Sequence, residues 1–234
     1  MRKAFVPFML IAALLGVSTL QSCDTISDIV DSLLSEGDAT EGLKEALRVG
    51  TDTSIAKGSA LNGYFANQAI KILMPPEADP ILSAINLIPG GNTLVDQVVL
   101  KLNRAAEDAA PQAADILFNA ITSITITDAI NIVNGENDAA TQFLRNASEN
   151  DIKALFKPHI ENSLETVGAQ TAWGELTGVY NSLPLVSPVN TDLADYTSDK
   201  ALDGLFHMVA EEEGKIREDP LHRVSEILQQ VFGN

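Results

Sequence analysis

The sequence predicts an all-α fold: a single compact multi-helix domain of roughly eight to ten helices behind a cleaved signal peptide. Three observations predict it. Apolar residues recur at steps of three and four along most of the 234-residue chain. Proline, glycine and Asn-Gly punctuate the pattern at helix-length intervals. Strand-like alternation is confined to two short stretches, Ile70–Ile72 and Ile124–Thr127.

The first segment is an export label. Arg2 and Lys3 form a basic start, an apolar run follows from Ala4 to Val17, and Leu20-Gln21-Ser22-Cys23 closes it. That run falls short of the about 20 apolar residues of a membrane span, and Pro7 interrupts it. Leu20-Gln21-Ser22-Cys23 resembles a bacterial lipobox. The resemblance implies cleavage before Cys23 and acylation of its thiol. Residues 1–22 are then the lipoprotein signal peptide, 23–41 a lipidated N-terminal segment, and 42–233 the helical domain. Cys23 is the only cysteine, so the body folds without a disulfide. Stable anchoring requires more than one acyl chain.

Beyond Cys23, Asp24 to Glu36 reads as a short amphipathic helix interrupted by Gly37-Asp38. Thr40 is placed to cap a second helix bearing Leu43, Ala46 and Leu47, which fades near Gly58. Asn62 to Pro80 reads as an ordered loop with a short extended piece, because Pro75, Pro76 and Pro80 forbid a regular helix. Ile81 to Ile88 forms a short helix stopped by Pro89-Gly90-Gly91. Thr93 starts a strong helix through Ala110, whose Ala105, Ala106 and Ala109 suit close packing. Pro111 breaks that helix or opens the next, which carries Ile116, Leu117, Ala120 and Ile121. Thr125 followed by Asp128 looks like a helix start, and Ile124 to Thr127 reads as a linker into a short helix from Thr127 to Val133.

Asp138 to Ser148 and Asp151 to Val167 read as two further helices, the second bent or broken at Pro158. Gln170 to Ser182 carries the lone Trp173. Thr197-Ser198-Asp199 reads as the cap of the penultimate helix. Asp219-Pro220 separates it from a last helix bearing Val224, Ile227, Leu228 and Val231.

The net charge of −17 repels phosphate backbones and excludes a nucleic-acid role. It also opposes a broad electrostatic grip on anionic lipid, leaving acyl chains on Cys23 as the expected membrane contact.

Four stretches stand out together: Leu102-Asn103-Arg104-Ala105-Ala106-Glu107, Asp138-Ala139-Ala140-Thr141-Gln142-Phe143-Leu144-Arg145, Lys200-Ala201-Leu202-Asp203-Gly204-Leu205-Phe206, and the run Glu211 to Pro220. In this order they resemble the domain of unknown function family 4197, exported or lipid-anchored proteins of Gram-negative bacteria. The resemblance covers roughly Gly42 to Gly233. It implies a helical fold facing the periplasm, with inner or outer membrane left open, and supplies no catalytic residues.

The candidate polar site lies in the penultimate helix. Leu202, Leu205, Phe206, Val209 and Ile216 form an apolar stripe that continues onto Glu212 and Glu213. A buried carboxylate there needs a cation or several donors. Arg104, Arg145 and Arg217 are the candidates. The arrangement serves as a structural ion-pair network or as a buried Glu/Arg site for an enzyme or small-ligand carrier. Asp203, His207 and Glu211 step along the opposite face, too strung out for a tight metal site. Pro89 to Thr93 lacks a phosphate-loop ending. His159 and His222 have no nucleophile pattern beside them. No cofactor is expected, and a protein or small apolar ligand is the expected partner class in a non-enzymatic role.

Overall fold

Helix is the only regular structure among the described residues, which in this computed structural model are 24–88, 90–189, 191–219 and His222, with backbone alone for 24–36, 38 and 39. Cys23, the export label and the expected last helix lie outside them. The chain divides into two units, Met1–Ser35 and Glu36–Asn234. Of the first, only helical backbone over 24–35 is described.

The helices are α1 (Asp24–Ser59), α2 (Asp79–Ser83), α3 (Gly91–Ala109), α4 (Ala114–Thr122), α5 (Ile126–Val133), α6 (Ala139–Thr166), α7 (Ala169–Asn181) and α8 (Leu193–Glu218). Short 3-10 turns at Pro76–Ala78, Ile85–Leu87 and Ala110–Ala113 connect some of them. Among the described residues the number of long helices falls below expectation, because expected neighbours merge.

Gly37-Asp38 does not end α1, which carries Thr40 as a buried interior residue. A single interior glycine costs about 1 kcal/mol, less than a helix can recover from packing. The expected break between Ser148 and Asp151 is likewise absent from α6. The Ser148 hydroxyl donates back to the Leu144 carbonyl at 2.6 Å, so it satisfies itself within the helix instead of capping a new one. Pro158 also lies inside α6. Both it and Ala154, whose carbonyl it leaves unpaired, are on the solvent side.

α8 starts well before the expected Thr197. Asp192 is the actual cap, its Oδ1 accepting from the amides of Ala194 and Asp195 at 3.0 Å each. Thr197 and Ser198 are fully buried inside the helix. The expected helix at Ile81–Ile88 divides into α2 and the Ile85–Leu87 turn. At α5 the Thr125–Asp128 capping box is complete, with both reciprocal bonds formed.

α6 and α8 share the most extensive helix contact, and α3 packs against α6, α7 and α8. The core between them contains Leu102, Ala106, Leu144, Phe156, Leu205 and Val209. Tyr64, from the irregular segment after α1, is fully buried and donates its hydroxyl to the Ala201 carbonyl at 2.8 Å. Its ring lies over Gly204, where an added Cβ would come within 2.6 Å of Cε1. Glycine at this turn of α8 is therefore a packing requirement.

Candidate functional site

The last two turns of α8 carry the two carboxylates that interrupt its apolar stripe. Glu212 and Glu213 are each only 7% exposed. Burial of a carboxylate is unfavourable unless its acceptor positions are filled. At Glu213 they are. Oε1 accepts from the Ala140 amide at 3.0 Å and from Arg217 Nε at 2.9 Å. Oε2 accepts from the Thr141 amide at 2.8 Å and the Thr141 hydroxyl at 2.7 Å.

Ala140 and Thr141 are the second and third residues of α6, whose own N-cap, Asp138, makes no side-chain cap bond. Glu213 thus performs from α8 what a cap residue normally performs locally. Its negative charge also complements the positive end of the α6 dipole.

Arg217 completes the other half. Its guanidinium donates to the carbonyls of Ile132 at 3.0 Å and Val133 at 3.3 Å, the last residues of α5. A cation here complements the negative end of α5. One ion pair on α8 therefore closes the C-terminus of α5 and the N-terminus of α6 across the turn that joins them.

Glu212 faces a different neighbour. Its Oε1 accepts from Lys57 of α1 at 2.5 Å and from Lys215 at 2.7 Å. Burial pushes its pKa upward, but the hydrogen bonds and charges of Lys215 and Lys57 outweigh this and hold the carboxyl below its ordinary value.

Arg104 reaches neither of these carboxylates. It donates to Glu107 Oε2 at 2.5 Å and Asn62 Oδ1 at 2.7 Å. Glu107 Oε1 accepts the amides of Tyr64 and Phe65, both at 3.2 Å. One turn earlier, buried Asn103 binds both sides of Ile72: its Oδ1 accepts the Ile72 amide at 2.9 Å, and its Nδ2 donates to the Ile72 carbonyl at 2.7 Å. This pairing mimics a neighbouring strand. It satisfies Ile72 at the end of the alternating Ile70–Ile72 segment without any strand partner. Asn103, Arg104 and Glu107 together fasten the segment from Asn62 to Ile72 to α3.

Arg145 occupies a third location, donating to Glu149 at 2.8 Å and Asp203 at 2.6 Å. Hydrogen bonds to Glu149 and then Asp203 raise its pKa. The five candidates Arg104, Arg145, Glu212, Glu213 and Arg217 therefore belong to separate clusters, and only Glu213 and Arg217 bond each other. Among the described residues, no group of three His, Cys, Asp or Glu side chains is arranged to hold a metal. The crevice beside Glu213 and Arg217, walled by Leu43, Leu47, Val209 and Ile216, holds about 10 Å³ of free space, the size of one water.

A family described as protein of unknown function (DUF4197) matches residues 33–233. The chain belongs to this family. The DUF4197 match encloses both helix-end contacts of α8 and the α3 fastening. No curated protein matches the chain significantly, and neither does any solved structure. Within the DUF4197 region, sequence reasoning missed Asn103, Glu107, Thr141 and Lys57. The Leu102–Glu107 stretch was the available signal, since it places Asn103 and Glu107 four residues apart on one helix face.

Proposed function

We propose that this protein is a lipid-anchored component of the bacterial cell envelope, held by acyl chains on Cys23 and facing the periplasm, with a non-enzymatic binding or structural role. The anchor reading is supported by the basic start, the short apolar run and Leu20-Gln21-Ser22-Cys23. The non-enzymatic reading is carried by Glu213. All four acceptor positions of its carboxylate are filled by the protein itself. A general acid or base needs a proton site within reach of substrate, and this carboxylate is committed to the α6 N-terminus and Arg217.

Intact mass and membrane fractionation test the anchor. The protein purified from Gram-negative membranes should begin at Cys23, carry added acyl mass and partition with lipid. Cys23→Ser should abolish the added mass and that processing. An unmodified thiol in the wild-type protein would refute the anchor. Native mass spectrometry tests the role. A clean apo mass supports a body without a retained small molecule, and a tightly retained organic ligand would contradict a purely structural role.

A further inference from the structure

Charge is spread unevenly along this chain. It carries 32 acidic and 15 basic residues, yet the runs 80–95 and 176–191 contain no Asp, Glu, Lys or Arg. No other charge-free run beyond Cys23 is as long. The fold brings the two together. α2, at the start of the first run, packs against α7, whose second half opens the second run. Tyr196, just past the second run, donates its hydroxyl to the Leu73 carbonyl at 3.1 Å, shortly before the first. Leu82, Leu87, Val179 and Leu185 from these runs are all exposed.

Leu185 is the outlier among them. It is fully exposed, and its φ of 65° lies in the left-handed region that a leucine rarely enters. The loop around it is fixed. Asn181 Oδ1 accepts the Val189 amide at 3.0 Å, and its Nδ2 donates to the Val189 carbonyl at 3.3 Å, so the two ends are tied together. Pro184 and Pro188 restrict the backbone between them. Leu183 and Val186 pack against the core, which leaves Leu185 held outward at the tip. Strained backbone of this kind persists where its surroundings over-determine it, and it clusters at functional contacts.

We propose that this charge-free face rests on the lipid bilayer, with Leu185 inserted at the interface. The proposal rests on the Cys23 anchor. Residues 24–36 join that anchor to the body, so even a fully extended link keeps the body within about 45 Å of the membrane. Tethering raises the effective concentration, and a weak apolar contact then suffices. Charge selects the occupant. A zwitterionic bilayer accepts an apolar face without an ion pair, whereas the acidic faces elsewhere would have to desolvate carboxylates. A second copy would need an apolar recess for Leu185. The cleft beside the loop, about 450 Å³, is instead walled by Glu161, Gln170 and Asp192 together with Trp173 and Val189.

Quenching by lipid tests the contact. Leu185→Cys places a free thiol at the tip, since the Cys23 thiol is acylated, and Asp151→Cys on the exposed side of α6 is the control. Each acylated full chain, labelled there with nitrobenzoxadiazole, is reconstituted into phosphatidylcholine vesicles with brominated acyl chains. The label at 185 should shift to the blue and lose most of its emission, while the label at 151 keeps it. Intact mass and flotation report the tether in the same samples. An acylated, floating chain with no quenching at 185, or with equal quenching at both positions, would overturn the bilayer contact and leave the anchor standing. A dimer mass in that case would assign the face to a second copy. A chain without acyl mass would overturn the anchor and the contact together.

Discussion

Glu213 and Arg217, one turn apart on α8 and joined at 2.8 Å, close the ends of two different helices. Glu213 takes the first amides of α6, and Arg217 takes the last carbonyls of α5. Their side chains are 7% and 10% exposed, so neither charge can be rehydrated if its partner is removed. Glu213→Ala and Arg217→Met should each destabilise by about 3–5 kcal/mol, as expected for half of a buried pair. Urea denaturation measures the loss, and amide exchange should accelerate first at Ala140 and Thr141.

The Asn103 clamp makes a second expectation. Asn103→Leu preserves approximate volume but strands the Ile72 amide and carbonyl in the core. It should cost about 2–6 kcal/mol, at about 1–3 kcal/mol for each of the two unsatisfied buried groups. Hydrogen exchange at Ile72 should rise well beyond that of α7, which the clamp does not touch.

Tyr64 and Gly204 provide a steric test. Gly204→Ala would place a methyl group 2.6 Å from the Tyr64 ring and should destabilise by about 1–3 kcal/mol through overpacking, although alanine is the better helix former. Tyr64→Phe in the same background should not restore stability, because the clash is with the ring and not the hydroxyl.

Titration acts from both sides of neutrality. Burial, reinforced by Glu107, raises the Tyr64 phenol above its ordinary value. The neutral phenol therefore favours the folded state, and its contribution is lost as pH rises above about 10, the unfolded tyrosine value. The carboxyls of Glu212, Asp192 and Asp203 are lowered. Their contribution is complete above the unfolded carboxylate values, about 4, and is lost as pH falls through the lower folded values. Glu212→Gln should flatten the acid limb of a stability–pH curve, and Tyr64→Phe the alkaline limb.

The fully buried Thr197 presents a hydroxyl with no hydrogen-bond partner among the described residues. Thr197→Val removes that orphan at nearly constant shape and should raise stability by about 1 kcal/mol. A rise in the thermal midpoint without change in the circular dichroism spectrum would verify it.

What the sequence disclosed depended on how local the determining physics was. The Thr125–Asp128 box is formed within four residues, so its pattern and structure coincide. The interruption of the α8 stripe at Glu212 and Glu213 is periodic, and both carboxylates are buried. Partner choice is not periodic. Glu212 selects Lys57 from α1, 155 positions away, and Arg104 adds to its helix neighbour Glu107 the side chain of Asn62, 42 positions away. Thr197-Ser198-Asp199 has the composition of a helix start, yet Asp192 already caps that helix and packing buries Thr197 and Ser198 within it. Local propensity yields to burial at such positions.

A double-mutant cycle on Glu213→Gln and Arg217→Met, read by urea denaturation, tests most directly whether these charges are structural fasteners. Strong coupling is expected: the double variant should lose at least about 1 kcal/mol less than the two single losses combined. Additivity within about 0.5 kcal/mol, or single variants as stable as the wild type, would contradict the role of this pair in closing α5 and α6.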